Sequence, residues 1–389
     1  MKVALVCSWL NQYGGAERVL EVLHEMYPDA PIYTSMYEPK AMPAAYRQWD
    51  IRTSFMQYLP LVKKRHQMFL PLYPLAFKQF DLSGYDLVIS NSSAFGHGVF
   101  TRPETCHVCY CLTPARFIWN YEEYVKRERI NPLARRLVPL TLGALRAWDA
   151  DAARRVDYMV AISTAVQARI ARFYRRDSEI IYPPVDTSRY QISDEVDDYF
   201  LIVSRLIPYK RIDLAVRAFT EIGWPLKVVG DGRDREVLTG MAGPNVEFLG
   251  RVPDEDVRRL YSRCRAFIFP GEEDFGLTPI EAMSAGRPVI AYGAGGALDT
   301  VIEGETGLLF REPSPEALAQ VVRDFDHRQF DPVKIRQHAL NFDVSLFKQR
   351  LATFVAERVA EHRRRREERT TVVRESARAS VSAGGERRG

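Results

Sequence analysis

Residues 271–283 read Gly-Glu-Glu-Asp-Phe-Gly-Leu-Thr-Pro-Ile-Glu-Ala-Met. The apolar run 266–269 before them predicts a strand, and Glu281-Ala-Met-Ser-Ala favours a helix, so the segment is a strand-loop-helix unit. In α/β folds the loop of such a unit lies at the carboxyl edge of the sheet, where ligands bind. Thr278 is expected to cap the helix and Pro279 to occupy its first position, which directs free backbone N–H groups at the loop and suits a phosphate.

The same alternation of short strands and helices occurs twice along the chain. Strand 2–8 and helix 16–26 open the first series, and strand 199–203 and helix 213–220 open the second. Two such series predict two doubly wound α/β domains. The two prolines in Tyr182-Pro-Pro-Val-Asp186 exclude helix and mark the linker between them. The predicted parts are therefore a first domain 1–184, a second domain 185–341, a last helix 342–360 and a disordered basic tail 361–389.

Bulk composition narrows the class of protein. The 389 residues are 46% hydrophobic and contain five cysteines, an odd number that favours a reducing, cytoplasmic compartment. No apolar run reaches the length of a membrane span. Residues 1–186 carry a net charge of +5 and residues 187–360 a net charge of −5, which argues against nucleic acid as the main ligand. The sequence Cys106-His107-Val-Cys109-Tyr-Cys111 fits a buried strand better than a zinc site.

Residues 273–283 resemble the Glu-x7-Glu signature of the family 4 retaining glycosyltransferases, which use sugar nucleotides and have the two-domain GT-B fold. Other segments match in the expected order, so that the resemblance covers about residues 1–360: 14–17, 204–211, 229–232, 248–250 and 295–310. Residues 86–93, 107–117 and 182–186 are similar to a subgroup that includes O-antigen mannosyltransferases. The resemblance implies two Rossmann-like domains facing across a cleft.

The resemblance also implies roles for individual residues. Glu273 would lie near the donor sugar, Glu281 would bind the ribose hydroxyls, and Arg205 with Lys210 would bind the diphosphate. Thr278-Pro-Ile-Glu281 is also a capping-box pattern, which leaves a structural role for Glu281 open. Glu272 is expected to face solvent. The remaining predicted donor contacts are Gly14, Gly15, Gly230, Phe275, Gly276 and Leu277, and the predicted acceptor-side residues are His97 and Arg116.

The implied reaction is transfer of a hexose, mannose from GDP-mannose, to a lipid-linked or polysaccharide acceptor by a front-face mechanism without metal or cofactor. Two alternatives remain open: a UDP-sugar donor, and a catalytically idle sugar-nucleotide-binding partner. Basic and aromatic residues alternate in 59–80 and basic and apolar ones in 126–146, which suits peripheral contact with the inner face of a membrane. One departure from the family is Leu112, where many relatives carry a histidine.

Overall fold

The computed structural model describes residues 1–121 and 132–385, and the side chains of 132–141, 369–370 and 372–385 lie outside the description. The strands, numbered in chain order, are β1 Val3–Cys7, β2 Ile32–Thr34, β3 Ile51–Thr53, β4 Leu87–Ser92, β5 Cys106–Cys111, β6 Tyr158–Ala161, β7 Glu179–Ile180, β8 Phe200–Val203, β9 Leu226–Val229, β10 Val246–Gly250, β11 Phe267–Phe269, β12 Val289–Tyr292 and β13 Gly307–Phe310.

The predicted helices 16–26 and 213–220 are observed as Gly15–Met26 and Ile212–Ile222. The α-helices are Gly15–Met26, Val62–Arg65, Tyr73–Lys78, Arg116–Trp119, Pro132–Arg155, Thr164–Tyr174, Ile212–Ile222, Arg235–Gly240, Asp254–Arg263, Leu277–Ser284, Ala297–Thr300, Pro315–Arg323, Pro332–Ala339 and Val344–Gly385. No helix within the described residues is both long enough and apolar enough to cross a membrane.

Two parallel sheets organise these elements, as the sequence predicted. The described strands of the first sheet lie in the order β3-β2-β1-β4-β5-β6-β7, and those of the second in the order β10-β9-β8-β11-β12-β13. All residues of β4 and β5 are buried, as expected for strands covered on both faces. In each sheet the chain moves outward from the first strand and then returns to its other side, which creates a switch point between β1 and β4 and another between β8 and β11.

The chain forms two compact units whose limits differ from the predicted domains 1–184 and 185–341. The first unit contains residues 1–111, 144–160 and 348–389, and the second contains residues 112–143 and 161–347. The Pro-Pro segment therefore belongs to the second unit, where the N–H of Val185 donates to the carbonyl of Phe342 over 3.0 Å. Two segments ahead of this linker also belong to the second unit, within which Arg116 and Ser163 both bind Asp274.

The last helix continues beyond the predicted end at residue 360 and runs to Gly385, through most of the tail that was predicted to be disordered. Glu361 forms ion pairs with Arg358 three residues before it and Arg365 four residues after it. Pairs at this spacing stabilise a helix. The charged composition that suggested a disordered tail is thus also a helix-stabilising pattern, while residues 386–389 lie outside the described residues.

Candidate functional site

The glutamate-rich loop joins β11 to the helix Leu277–Ser284 in the second unit. The helix begins at Leu277, so Thr278 and Pro279 occupy its second and third positions, and the predictions that Thr278 caps it and Pro279 opens it were wrong. Gly276 precedes the helix with a φ of +92°, and a Cβ there would lie 2.6 Å from the ring of Phe269. Only glycine accepts this conformation in so little space.

Lys210 and Glu273 form an ion pair at the switch point of the second sheet. Lys210 ends a 3-10 turn, Pro208–Lys210, in the loop after β8, and Glu273 lies in the loop after the neighbouring strand β11. The ammonium contacts the Glu273 carboxylate, and the two side chains are only 14% and 17% exposed. Solvent therefore screens the pair weakly, and the two predicted catalytic charges are held side by side at the edge where ligands bind.

Arg205 belongs to the same loop as Lys210 but is exposed. Its guanidinium lies 3.4 Å from the hydroxyl of Tyr209. Gly230, in the next βα loop, has a φ of +123°, and a Cβ there would lie 1.9 Å from the carbonyl oxygen of Ser204. Glycine thus lets the loop after β9 lie against the loop that carries Arg205.

Asp274 is held by two arginines that come from segments preceding β7 in the chain. Arg116 and Arg169 both donate to Asp274, and Arg169 also pairs with Glu272 over 3.2 Å. Burial alone would raise the pKa of Asp274, but the two guanidinium groups outweigh it and lower the pKa. Arg116, expected on the acceptor side, therefore lies in the second unit beside the glutamate-rich loop, and Glu272 is ion-paired as well as partly exposed.

Two of these cationic side chains, Arg116 and Lys210, lie near the aromatic ring of Tyr209. The guanidinium carbon of Arg116 lies 5.7 Å from the ring centre of Tyr209, and the Nζ atom of Lys210 lies 5.4 Å from the same centre. Distances of this size allow cation–π attraction. Tyr209 therefore helps to hold Arg116 and Lys210 as neighbours, a role that the sequence reasoning missed.

The backbone of the glutamate-rich loop is fixed from two further sides. The N–H of Gly296 donates to the carbonyl of Glu273 over 2.9 Å, and a Cβ on Gly296 would lie 2.2 Å from the Cα of Phe275. Ser163 caps the helix Thr164–Tyr174 and also donates to the carbonyl of Asp274. Phe275 is itself buried and stacks on Tyr182 with ring centres 5.6 Å apart. These contacts hold the backbone of the loop between Ser163, Tyr182 and Gly296.

Glu281 is buried inside the helix Leu277–Ser284, where the hydroxyl of Tyr261 donates to its carboxylate over 2.9 Å. The capping-box alternative is wrong, since the residue before the helix is Gly276 and makes no side-chain cap. Tyr261 comes from the helix Asp254–Arg263 and fixes the orientation of the carboxylate.

The switch point of the first sheet carries three predicted residues, Gly14, Gly15 and His97. Gly14 precedes the helix Gly15–Met26 in the loop after β1, and His97 follows β4. His97 is buried, with Ser92 Oγ 3.1 Å from its Nδ1 and Asp149 Oδ1 3.3 Å from its Nε2. Burial disfavours its charge, but Asp149 outweighs burial and raises the pKa of His97. The buried pairing fits a structural role for His97 better than the predicted acceptor contact.

Comparison with known proteins agrees with this architecture. A model of the glycosyl transferases group 1 matches residues 187–341, and a model of glycosyltransferase family 4 matches residues 13–189. Together the two models match residues 13–341, and the chain belongs to the family 4 glycosyltransferases.

Individual relatives match part of the chain. A GDP-mannose-dependent alpha-mannosyltransferase of Mycobacterium tuberculosis is 30% identical over 48% of this chain and 54% of its own length. The O-antigen chain mannosyltransferase RfbU of Salmonella typhimurium is 29% identical over 35% of this chain and 42% of its own length. The chain spans about half the length of the curated relatives it matches, with 48%, 45% and 54% for three of them.

Among solved structures, sucrose-phosphate synthase from Thermosynechococcus elongatus superimposes with a TM-score of 0.73. The superposition covers 93% of this chain and 100% of that one at 18% identity. At this identity the likeness shows the fold alone, which is the predicted GT-B type with two parallel Rossmann-like sheets.

Proposed function

We propose that the protein transfers mannose from GDP-mannose to a lipid-linked or polysaccharide acceptor, with retention of the anomeric configuration. The observation that carries this proposal is the Lys210–Glu273 pair at the switch point of the second sheet. In this pair the Lys210 ammonium is suited to a leaving phosphate, and the neighbouring Glu273 carboxylate is suited to the donor sugar. The choice of mannose and of the acceptor class rests on the mannosyltransferases among the relatives.

The proposed step is a front-face displacement. The bond between the anomeric carbon and the β-phosphate oxygen breaks, and the acceptor oxygen bonds to that carbon on the same face. The acceptor proton passes to the leaving phosphate oxygen, so that no protein nucleophile is required. Lys210 and Arg205 stabilise the negative charge that grows on the phosphate, and Glu273 stabilises the positive charge that grows on the sugar ring.

The same arrangement supports transfer without a metal. Guanidinium and ammonium groups can neutralise a diphosphate in the place of a divalent cation, with charge-assisted hydrogen bonds. Glu281 is proposed to accept hydrogen bonds from the ribose hydroxyls, because a carboxylate offers two acceptor oxygens to a vicinal diol. The bond from Tyr261 would hold that carboxylate in one orientation.

A panel of nucleotides and sugar nucleotides tests both the identity of the donor and the transfer reaction. We expect GDP and GDP-mannose to raise the melting temperature more than UDP and UDP-glucose, because a ligand that binds only the folded state stabilises it. We also expect slow release of mannose from GDP-mannose to water, which Lys210→Ala abolishes and the surface substitution Lys334→Ala does not. A larger response to UDP would favour the alternative donor, and binding of GDP-mannose without any turnover would favour the idle partner.

Contact with a membrane is a further part of the proposal. Residues 55–78 form short helical turns in the first unit, and they expose Phe55, Tyr58, Leu61, Met68 and Leu75. Exposed Lys64, Arg65 and Lys78 are interspersed with these apolar side chains. A surface with both features binds anionic lipid through apolar burial and charge attraction. Most of the second predicted segment, 126–146, has side chains outside the described residues.

Flotation with vesicles tests this surface. The protein should float with phosphatidylglycerol vesicles and less with phosphatidylcholine vesicles. The triple variant Tyr58→Ser, Leu61→Ser, Met68→Ser should lose flotation. The control variant Val333→Ser, Leu340→Ser, which removes exposed apolar side chains from the second unit, should keep it. Equal flotation of both variants would contradict the assignment.

A further inference from the structure

Three side chains with metal-binding atoms meet in the first unit. Cys106 begins β5, Asp157 directly precedes β6, and His362 lies in the helix Val344–Gly385. One sulfur, one carboxylate oxygen and one ring nitrogen from these residues all lie within 4.8 Å of one another. Neighbouring strands and the last helix bring them together from distant parts of the chain.

The ring of His362 is oriented by a backbone group. Its Nε2 atom lies 3.0 Å from the carbonyl oxygen of Pro103. A carbonyl only accepts hydrogen bonds, so Nε2 carries a hydrogen and donates it. The Nδ1 atom then faces the cluster, 3.7 Å from Oδ1 of Asp157. Histidines that bind metals usually donate their other N–H to a carbonyl or carboxylate in this way.

The carboxylate of Asp157 is oriented in the same manner. Its Oδ2 atom accepts a hydrogen bond from the backbone N–H of His107 over 2.8 Å, while Oδ1 faces His362. Cys106 is buried, whereas Asp157 and His362 are partly exposed. The cluster therefore has a buried sulfur on one side and a route to solvent on the other.

We propose that Cys106, Asp157 and His362 bind a zinc ion. Sulfur, imidazole nitrogen and carboxylate oxygen are its usual ligands in proteins, and three of them leave a fourth tetrahedral position for water. When the ion binds, the Cys106 sulfur loses its proton to the solvent and forms a bond to zinc. The ion connects the last helix to the first sheet and so stabilises the first unit.

Cobalt is a suitable probe, because a thiolate bound to Co²⁺ gives a charge-transfer band in the near ultraviolet. Titration of the full chain with Co²⁺ should produce this band, which should saturate at one equivalent and disappear when Zn²⁺ is added. Cys106→Ser should abolish the band. His362→Ala should weaken Co²⁺ binding by at least about tenfold, since loss even of a residue behind a ligand has effects of about 10–100-fold.

Matched controls come from the second unit. Cys264 is also a buried free thiol, and the Nε2 of His338 also lies near a backbone carbonyl, at 2.8 Å. Cys264→Ser and His338→Ala should leave the band unchanged. Circular dichroism of each variant shows whether it remains folded, and His362→Ala keeps the test decisive if Cys106→Ser does not fold.

Thermal unfolding separates a metal site from a plain ion pair. Zinc should raise the melting temperature of the native chain and not that of His362→Ala. Absence of the band at one equivalent, its persistence in Cys106→Ser, or an unchanged Co²⁺ affinity in His362→Ala would overturn the proposal. A melting temperature that falls in His362→Ala but does not respond to zinc in either protein would also overturn it, and would assign the cluster to an ion pair between protonated His362 and Asp157.

Discussion

Asp274→Ala should destabilise the second unit by about 2–3 kcal/mol. Removal of one partner from a buried ion pair costs about 3–5 kcal/mol, because the other charge stays buried without compensation. The Asp274 side chain is 21% exposed and faces two arginines, Arg116 and Arg169. Water can partly solvate these two guanidinium groups, which lowers the expected cost below the fully buried range.

Urea unfolding measures this change through the midpoint of the transition, provided that the slope stays constant. Glu221→Ala is the matched control, because Glu221 pairs with Arg323 over 2.7 Å at the surface and both side chains are about half exposed. An exposed pair of this kind contributes less than about 1 kcal/mol. Equal losses of stability in the two variants would show that the ion pairs of Asp274 contribute no more than an exposed pair.

The pH dependence of Asp274→Asn gives an independent check. A carboxyl whose pKa is lower in the folded state stabilises the fold above its unfolded pKa, and that stabilisation disappears as the pH falls through the folded pKa. The pKa of Asp274 lies below its ordinary value of 3.8. The stability difference between the native chain and Asp274→Asn should therefore be constant near neutral pH and shrink only below about pH 4. A difference that shrinks already between pH 7 and pH 5 would refute this assignment.

Three further predictions concern turnover and donor binding. Arg205→Ala and Lys210→Ala should each lower kcat by about 10²–10³-fold and act non-additively, because they stabilise one leaving group; an effect confined to KM in steady-state kinetics would show that they hold only the ground state. Glu281→Ala should weaken GDP binding in calorimetry by about 1–3 kcal/mol, and Tyr261→Phe by less, since it leaves the carboxylate in place; unchanged affinity in Glu281→Ala would limit Glu281 to a structural role. Donor turnover should persist in excess EDTA, and its loss with recovery on addition of Mg²⁺ would contradict metal-independent transfer.

The sequence predicted the two parallel sheets and the loops that carry the candidate site. The apolar run 266–269 predicts a strand, and β11 covers Phe267–Phe269 of it. Lys210 and Glu273 were also placed on loops of the same sheet. Their direct contact could not be predicted, because it depends on the adjacency of β8 and β11, and strand order is a tertiary property.

The contacts that the sequence did not predict also depend on tertiary structure. Arg116 contacts Asp274, which lies 158 residues away in the sequence, so its motif alone could not predict this partner. The sequence does not predict the role of Arg169, since one arginine on an amphipathic helix gives no local signal. His362 was included in a tail predicted from composition alone, so a cluster with Cys106 could not be found from spacing.

The late position of the last helix in the chain determines when the first unit can be completed during translation. The first unit is completed only by residues 348–389, after the whole of the second unit has been translated. Lys348 pairs with Glu25 over 2.7 Å, so the final segment returns to an element made at the very start. A nascent chain that has passed residue 184 still lacks this cover, so its first unit is completed only after the helix that begins at Val344 has been made. Premature termination anywhere in the second unit would therefore leave the first one unfinished as well.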